Sequence, residues 1–353
     1  MRRVHLVHFY SAPGGIEVLS SRLVGSFSGH SFRVFVIRPR AEDQLDVYEG
    51  TDIPVTCGSG SNSVALFRLW KYARSYRNDV FHLFNLGPYF LLALKLAGAR
   101  RIIYSIRGTR YWTNNFQQIV RRLLWRLALS RNMKVIANSE YSRQVFLEKV
   151  SRRPEIDVVY NPVGSVRFAP ATHERKPGMM KIVYAGRLAP GKNLISWIET
   201  AAAIHTTLDN TLFEIYGSGP LEQQLHDKIT CLSAGSYIFL KGYRSDIENV
   251  FREADLTLFL SEYESFGNVV VESILCGTPV IASGIPSMQE IFRDYPLFLL
   301  STEEDIAEQV IARLRDYEAL LSAAGNACRD FRKRFSEEAY IKKLNAIYTS
   351  FND

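Results

Sequence analysis

Short apolar runs alternate with helical stretches along the whole chain, and this alternation constrains the fold more than any other feature. An apolar strand at Val4–Tyr10 is followed by a helical stretch at Ile16–Ser26 and by a second strand at Ser31–Pro39. Strands separated by helices are typical of parallel sheets, because a parallel pair needs a long crossover connection. The sequence therefore predicts an α/β protein built on parallel sheets.

The length of the chain indicates two domains. At 353 residues it is too long for one ordinary domain and suits two, each with its own core. The alternation restarts at Lys181 after a Pro-containing polar segment at 166–179, which we interpret as a linker. We predict domains over 1–165 and 166–334, and we expect a last helix at about 335–353 to pack back on the N-terminal domain.

The net charge of +7 is unevenly distributed. Residues 1–165 contain 24 Lys and Arg against 11 Asp and Glu, whereas residues 166–353 contain 19 against 25. Val80–Ser139 contains ten basic residues and no acidic one. Such a block attracts nucleic acid or an anionic membrane surface. Because no nucleic-acid-binding motif accompanies it, we predict an anionic membrane partner and no nucleic acid.

One helical stretch inside this block has a membrane-like pattern. Three arginines occupy one side, with Trp125 at the edge and Trp112 upstream. This arrangement fits a helix lying on a membrane surface, but it also fits a core-packed helix with a solvated basic side. The apolar stripe consists of Phe116, Ile119, Val120, Leu123, Leu124 and Leu127, and the arginines are Arg121, Arg122 and Arg126.

Several classes of protein are disfavoured. The four cysteines (Cys57, Cys231, Cys276 and Cys328) are scattered and form no CxxC pair, so we expect reduced thiols and no metal site. The first apolar run ends in a Pro-Gly-Gly turn, which predicts a β-strand and not a signal peptide. No stretch approaches the roughly 20 apolar residues that a spanning helix needs. We therefore expect a cytoplasmic protein.

The stretch Ser261–Ser283 carries the strongest functional signal. Two carboxylates, Glu264 and Glu272, are separated by seven residues, the first in a loop and the second in a helix that begins near Gly267. The NH groups of Phe266–Val269 would lie at the positive end of that helix, which predicts a phosphate site. Carboxylates beside a phosphate repel it unless they bind neutral hydroxyl groups, so sugar rings fit this arrangement.

Two cations follow the first strand of the C-terminal half. Arg187 and Lys192 lie in the segment Lys181–Leu194, where a glycine turn leads into a helix. Arg187 offers a rigid, planar guanidinium and Lys192 a point charge, and the two could bind phosphates between them. The segment therefore supplies a second candidate for an anion site.

These motifs resemble those of family 4 of the retaining, GT-B-fold glycosyltransferases. The Glu-x7-Glu spacing and the Gly-Arg…Lys-Asn pattern at 186–193 are similar to its donor-site motifs. The resemblance implies two Rossmann-like domains facing across a cleft, the first binding the acceptor and the second the nucleotide sugar. It implies that Arg187 and Lys192 bind the donor diphosphate, that Glu264 contacts the sugar hydroxyls and that Glu272 holds the ribose.

The resemblance implies further donor-binding residues. Gly14 and Gly15 would lie beside the diphosphate, and the turn of Lys241, Gly242 and Tyr243 near the base. We expect no cofactor and no metal, because cations and a helix start would take the electrostatic role of a divalent ion. The other implied donor-binding residues are Gly186, Gly217, Gly219, Ser265, Phe266, Gly267, Asn268 and Val269.

Arg107 departs from the family pattern, which has a histidine at this position. It follows an apolar strand at the end where open α/β sheets bind ligands, so we count it with Glu264, Arg187 and Lys192 as a catalytic candidate. Arginine cannot act as a general base, but it can bind a carboxylate or phosphate. Three roles stay open: binding a uronic-acid donor, binding the phosphate of a lipid-linked acceptor, or forming a structural salt bridge. For His82 we favour a structural role.

The expected activity is transfer of a hexosyl group with retention from a nucleotide sugar, most simply a UDP-sugar, to a hydroxyl of a lipid-linked or oligosaccharide acceptor. This reaction would serve bacterial surface polysaccharide or lipopolysaccharide synthesis, with the enzyme peripheral on the inner face of the cell membrane. Two alternatives remain: another GT-B enzyme such as a nucleotide-sugar 2-epimerase, which would release free sugar, or a non-enzymatic nucleotide-sugar-binding protein.

Overall fold

The chain divides into two compact units in a computed structural model. The N-terminal unit comprises Met1–Tyr160 with Tyr340–Asp353, and the C-terminal unit comprises Asn161–Ala339. The structure describes residues 2–9, 20–21, 24, 27, 29–38, 48, 52–58, 61–109, 115–130, 133–152, 154–164, 167–170, 178–301 and 304–351.

A seven-stranded sheet forms the described centre of the N-terminal unit, in the order β3-β2-β1-β4-β5-β6-β7. Every adjacent pair is parallel. The central strand β4 is buried along its whole length, as expected where helices cover both faces of a sheet. The strands are β1 (Arg2–His8), β2 (His30–Val36), β3 (Val55–Cys57), β4 (Val80–Phe84), β5 (Arg101–Ile106), β6 (Lys134–Ala137) and β7 (Ile156–Val158).

Four helices connect the later strands of this sheet: α1 (Asn62–Ser75), α2 (Pro88–Leu96), α3 (Asn115–Ala128) and α4 (Glu140–Lys149). The crossovers from β3 to β4, β4 to β5 and β5 to β6 all advance in one direction along the sheet. Because such crossovers are right-handed, they place α1, α2 and α3 on the same face. Ser139 starts α4 as an N-cap, its Oγ accepting from the backbone N of Ser142 at 2.9 Å.

The C-terminal unit has a six-stranded parallel sheet in its described residues, in the order β10-β9-β8-β11-β12-β13. The strand order reverses beside β8, since β9 lies on one side of it and β11 on the other. The strands are β8 (Met180–Ala185), β9 (Thr211–Tyr216), β10 (Ile238–Gly242), β11 (Leu256–Phe259), β12 (Val280–Ser283) and β13 (Leu299–Leu300).

The remaining helices begin after β8. Trp197 on the first of them is fully buried, and its indole NH donates to the backbone oxygen of Leu258 at 2.9 Å, which fixes this helix on β11. The helices are α5 (Leu194–Thr207), α6 (Glu222–Cys231), α7 (Ile247–Glu253), α8 (Asn268–Leu275), α9 (Pro286–Ile291), α10 (Ile306–Arg315), α11 (Tyr317–Arg334) and α12 (Glu337–Thr349).

Two apolar clusters fill the two faces of the N-terminal sheet. One face packs on the helices that connect the strands, through residues such as Leu69, Leu94 and Trp125. On the other face, Leu344 and Tyr348 of α12 join the side chains of the central strands. The last helix of the chain is thus part of the core of the first unit.

Candidate functional site

The site is built on the two loops that follow β8 and β11. These strands are neighbours where the strand order of the sheet reverses. Open α/β sheets bind ligands beside the carboxyl ends of the strands at such a point. The loop at 186–193 contains Arg187 and Lys192, and the loop at 260–267 contains Glu264, so the topology brings the predicted cations and the first predicted carboxylate to one edge.

Two hydrogen bonds hold these loops together. The backbone N of Glu262 donates to the oxygen of Gly191 at 3.0 Å, and the hydroxyl of Tyr263 donates to the oxygen of Pro190 at 2.9 Å. Gly191 has φ +84°, and a Cβ there would lie 2.0 Å from the Tyr263 ring. Only glycine allows both this backbone conformation and this close approach. Sequence reasoning missed the role of Tyr263.

Lys192 and Glu264 form an ion pair across the loops, through Nζ and Oε1. Both side chains are partly buried, so water screens their interaction less than it does on an open surface. The ammonium group also lies 5.9 Å from the centre of the Phe259 ring. The pair joins two residues for which the resemblance implies separate roles, Lys192 at the diphosphate and Glu264 at the sugar.

Arg187 differs from Lys192 because its side chain is exposed. Within the described part of the chain its guanidinium makes no hydrogen bond or ion pair, although its backbone oxygen accepts from the hydroxyl of Tyr184 at 3.3 Å. The loop therefore presents one cation that is already paired and one that is available to an anion.

Glycines allow the neighbouring loops to stack backbone on backbone. A Cβ on Gly217 would lie 1.8 Å from the oxygen of Gly186, and a Cβ on Gly219 would lie 2.3 Å from the oxygen of Leu188. The backbone N of Gly217 donates to the oxygen of Gly242 at 2.8 Å. Gly217 and Gly219 are thus required by loop packing, whatever they do for a ligand. A Cβ on Gly186, which has φ +150°, would lie 2.8 Å from the Tyr184 hydroxyl.

Helix α8 begins without a capping side chain. Its N-cap is Gly267, with φ +98°, and no acidic residue lies in its first turn. The amide of Asn161 donates to Oδ1 of Asn268 at 2.9 Å, and the buried ring of Phe266 packs edge-on against Phe335 with centroids 5.3 Å apart. The helix start is therefore held from two sides while its NH groups lack a side-chain cap. Val269 and, in the second turn, Glu272 are partly exposed.

The turn at Lys241–Tyr243 contains a feature that sequence reasoning missed. The Nζ of Lys241 lies 3.5 Å from Glu214, a buried carboxylate that is also 3.7 Å from Lys181. Tyr216 donates to Glu214 at 2.7 Å, and burial together with this carboxylate raises the pKa of Tyr216. Lys241 thus helps to neutralise a buried carboxylate, and Tyr243 is exposed. The sequence does contain a sign of this buried carboxylate, because Glu214 is the one acidic residue in the apolar strand TLFEIY.

Arg107 belongs to the N-terminal unit, and only 8% of it is exposed. Its Nη2 donates to the hydroxyl of Tyr340 at 3.2 Å, and its guanidinium carbon lies 5.4 Å from the centre of the Phe84 ring. The backbone N of Arg107 donates to Oδ1 of Asn85 at 3.3 Å. The structure therefore holds this cation among aromatic groups of its own unit.

Two buried histidines complete this cluster, and both stack on Phe84. His82 shares hydrogen bonds with Ser105 at 2.6 Å and Tyr348 at 2.9 Å, and His8 shares one with Tyr48 at 3.0 Å. Burial and then the charge of Arg107 lower the pKa of His8 to about 3 and that of His82 well below its ordinary value. Both rings are therefore neutral at physiological pH.

The structure corrects the prediction for α3 at one residue. Trp125, expected at the edge of the arginine side, is buried and packs edge-on against Tyr104 and Phe146. Ile119 and Leu123 of the stripe are exposed. The core-packing interpretation of the stripe is therefore wrong. A helical period defines two faces but does not say which one contacts the sheet.

Two predicted residues, Gly14 and Gly15, lie outside the described residues, and so does Trp112; their roles stay predictions. Among the residues that the structure does describe, no helix is both long and apolar enough to cross a bilayer.

Comparison with solved structures defines the fold class. Anabaena HepE in complex with UDP is similar over 99% of this chain and 100% of that chain, with a TM-score of 0.81 and 20% sequence identity. Two parallel-sheet α/β units that match this structure identify the GT-B fold of glycosyltransferases.

Comparison with protein families then gives the family. The description "Glycosyltransferase Family 4" matches residues 13–165 and "Glycosyl transferases group 1" matches residues 167–340. The chain belongs to this family of GT-B glycosyltransferases, which act on nucleotide-sugar donors.

Two curated relatives cover most of the chain. An Escherichia coli UDP-Gal:alpha-D-GlcNAc-diphosphoundecaprenol alpha-1,3-galactosyltransferase is 22% identical over 84% of this chain and 82% of its own length. A Campylobacter jejuni N-acetylgalactosamine-N,N'-diacetylbacillosaminyl-diphospho-undecaprenol 4-alpha-N-acetylgalactosaminyltransferase is 24% identical over 96% of both chains. Both names describe transfer to a lipid-linked glycan.

Proposed function

We propose that the protein is a retaining, metal-independent hexosyltransferase that moves a sugar from a UDP-sugar to a hydroxyl of a lipid-linked glycan in bacterial surface polysaccharide synthesis. A uridine donor is supported by HepE, solved with UDP and with UDP-glucose, and by the UDP-Gal donor in the name of the E. coli relative. A lipid-linked acceptor is supported by the diphosphoundecaprenol acceptors in the names of the E. coli and C. jejuni relatives.

One observation carries the proposal: the loops after β8 and β11 hold two cations and an uncapped helix start at the ligand-binding edge of one sheet. We assign the donor diphosphate to Arg187, Lys192 and the NH groups at the start of α8. Glu264 would accept hydrogen bonds from the sugar hydroxyls and Glu272 from the ribose. Two cations and the NH groups of a helix start provide enough hydrogen-bond donors and positive charge to bind a diphosphate.

The ion pair of Lys192 with Glu264 gives the donor site a defined resting state. When a diphosphate binds, its oxygens can share the ammonium of Lys192, and Glu264 can turn its free lone pairs to the sugar. The two side chains therefore act as one unit, in which the phosphate end and the sugar end of the donor are recognised together. This coupling favours intact nucleotide sugar over either half alone.

The reaction then needs no metal and no protein base. Negative charge develops on the leaving diphosphate, and Arg187, Lys192 and the α8 start stabilise it. Arg187 cannot accept a proton, and Glu264 is already paired. We therefore propose that the acceptor hydroxyl attacks on the face that the diphosphate leaves and gives its proton to the leaving phosphate oxygen. The new glycosidic bond retains the configuration of the donor.

We propose a structural role for Arg107, as in the third prediction, but with the Tyr340 hydroxyl and the Phe84 ring as its described contacts in place of the predicted salt bridge. Its burial and its bond to Tyr340 favour a part in holding α12 on the sheet. We place the enzyme on the inner face of the cell membrane as a peripheral protein. The acid-free block Val80–Ser139 and the lipid-linked acceptors of the relatives support this location.

The test begins with Lys192→Ala. Loss of a partly desolvated charge-assisted contact should reduce transfer by roughly 2–4 kcal/mol in transition-state stabilisation and weaken UDP binding. Lys333→Ala, an exposed lysine of α11, is the matched control and should leave both unchanged. Binding is measured by calorimetry, and transfer by incubating the best-binding nucleotide sugar with membrane lipid extract. Unchanged turnover in Lys192→Ala would remove the diphosphate assignment.

The same assay separates the proposed function from its alternatives. A transferase should form a glycolipid whose anomeric configuration matches the donor, and EDTA should not inhibit it. Free sugar released at equal rates without lipid extract would indicate an epimerase instead. Tight binding with neither product would indicate a non-enzymatic binding protein.

The variants Glu272→Ala and Glu264→Ala separate recognition of the nucleotide from recognition of the sugar. Loss of a charged acceptor for the ribose should weaken UDP binding by roughly 1.5–3 kcal/mol in Glu272→Ala. Glu264→Ala should not weaken it, because the variant leaves Lys192 free for the diphosphate, yet transfer should fall. Equal losses of UDP affinity in both variants would contradict this division.

A further inference from the structure

An exposed apolar surface covers three helices of the N-terminal unit. Eight of the 14 exposed large hydrophobic side chains of the described residues lie on α1, α2 and α3. The most exposed are Phe67 (62%), Leu96 (75%) and Ile119 (70%). Contiguous apolar patches mark interaction sites, whereas single exposed apolar side chains are normal on a protein surface. The other members are Val64, Tyr89, Val120, Leu123 and Leu127.

The topology places these side chains on one outer face. Right-handed crossovers put α1, α2 and α3 on the same side of the sheet, and α2 packs against both neighbours. Each helix contacts the core with its opposite side, through residues such as Leu69, Leu94 and Trp125. The Nζ of Lys95 on α2 donates to the oxygen of Leu127 on α3 at 2.7 Å, which ties the two helices together. We call the outer side of the three helices the helical face.

The helical face is cationic without a balancing acid. The sequences of its three helices contain seven Lys and Arg and no Asp or Glu. Between Ile53 and Ser139 the chain has a single acidic residue, Asp79. Asp79 follows α1 and is occupied by His5 at 3.0 Å and Arg3 at 3.4 Å. Charge and apolar surface therefore coincide on one side of the unit.

We propose that the whole helical face, and not α3 alone, docks on an anionic lipid bilayer. Exposed Leu, Ile and Phe side chains would enter the boundary between headgroups and acyl chains, while the cations meet lipid phosphates. On α1, Phe67 stacks on Trp70 with centroids 5.8 Å apart, and Arg74 lies 5.8 Å from the same ring. This mixture of aromatic and basic groups suits the interfacial layer.

Charge complementarity selects this occupant over two others. A second copy of the chain would bring two cationic faces together. A nucleic acid would satisfy the cations but leave the apolar side chains without a partner. The inference rests on the peripheral membrane location proposed above and adds the surface that makes the contact, which belongs to the N-terminal unit and not to the donor site.

Co-sedimentation of the full chain with liposomes tests the proposal. Vesicles containing phosphatidylglycerol should bind the protein, pure phosphatidylcholine vesicles should not, and added salt should weaken binding steeply. Lys71→Glu with Arg74→Glu on α1 should weaken binding roughly tenfold or more, and so should Arg122→Glu with Arg126→Glu on α3. Arg332→Glu with Lys333→Glu on α11 is the matched control and should bind like the wild type.

The outcomes are distinct. Loss of binding in the α3 variant alone would overturn the three-helix surface, and equal binding to both vesicle types would overturn a charge-directed membrane surface. Phe67→Ser with Leu123→Ser should reduce binding while circular dichroism stays native. A dimer in sedimentation equilibrium that the α1 variant abolishes, or duplex DNA that outcompetes the vesicles, would each replace the bilayer as partner. Lys192→Ala should bind vesicles normally, so a failure of the donor-site proposal leaves this result separate.

Discussion

In the described residues, the carboxyl ends of the strands are surrounded in opposite ways in the two units. In the N-terminal unit the edge near β4 is filled with buried side chains, among them His82 and Arg107, that bond and stack with one another. In the C-terminal unit the corresponding edge consists of glycine loops whose backbones touch, and its charged side chains, Arg187 and Lys192, are at least partly exposed.

This difference teaches where a parallel sheet can keep a ligand site. A filled edge gains stability from packing and satisfied hydrogen bonds, but it leaves little room for an anion. An edge made from glycine loops gives up side-chain packing, and its backbone and cations stay accessible. The predictions below test the two kinds of edge against each other.

The largest effect is expected in the glycine loops. Gly217→Ala places a Cβ 1.8 Å from the oxygen of Gly186 at a residue with φ +145°. Overpacking and an unfavourable backbone conformation should together destabilise the C-terminal unit by roughly 2–5 kcal/mol. Gly235→Ala, whose added Cβ meets nothing within 4 Å, is the control and should be close to neutral. Chemical denaturation measures both, and an unaffected Gly217→Ala would show that the loops can separate without cost.

The filled edge should make the N-terminal unit sensitive to acid. Because the folded-state pKa values of His8 and His82 are lowered, the unfolded chain binds these protons more readily. Stability should be complete above the unfolded pKa of about 6.5 and fall as the pH drops towards about 3 for His8. The loss is at most about 1.4 kcal/mol per pH unit for each histidine.

Hydrogen exchange can follow the two units separately in that experiment. Peptides from β4 should lose protection at a higher pH than peptides from β11. His82→Phe should make the acid dependence shallower, whereas the exposed His226→Gln should not change it. Simultaneous loss of protection in both units would contradict the assignment of acid sensitivity to the histidine cluster.

A smaller effect is expected from the hydroxyl that holds Arg107. Tyr340→Phe removes the acceptor of a buried guanidinium bond and should cost roughly 1.5–3 kcal/mol of folding free energy. Tyr89→Phe removes a hydroxyl from an exposed tyrosine and serves as the control. Thermal unfolding measures both. If the acceptor affinity changed in Tyr340→Phe without a loss of stability, Arg107 would return to its predicted role at the acceptor phosphate.

The smallest effect concerns the contact between the loops at 186–193 and 260–267, to which we assign the donor. Tyr263→Phe keeps the ring against Gly191 but loses the bond to Pro190. One partly exposed hydrogen bond contributes roughly 0.5–1.5 kcal/mol, so UDP affinity should fall about two- to tenfold through a looser Lys192 loop. A positioning role predicts a higher donor KM with little change in kcat. A fall in kcat alone would mean that Tyr263 contacts the reacting groups.

The fold class could be predicted from the sequence because a fold class depends on local patterns. Strand and helix periods and glycine turns are read within about ten residues, and they gave two parallel α/β halves. The pair of Lys192 and Glu264 is different, since 72 residues separate its members. Motif positions indicated both residues, but only the strand order brings them into contact.

Side chains that turn inward at strand ends were harder to predict. An arginine after an apolar strand suggests a ligand contact. Its observed partner, Tyr340, is 233 residues away, and the sequence around Arg107 does not indicate this contact. Glu214 is similar: its partners Lys181 and Lys241 come from two other strands. Such pairings depend on register between strands, which a single sequence does not define.

The packing of α12 in the N-terminal core also has a consequence for synthesis of the chain. Tyr340, Leu344 and Tyr348 complete a core whose other residues were translated long before. A ribosome adding 5–20 residues per second needs on the order of 10–40 s to pass from residue 160 to residue 348. During that interval the C-terminal unit is being synthesised, and the first unit lacks the helix that covers one face of its sheet. The unit that is begun first is therefore the one that is completed last.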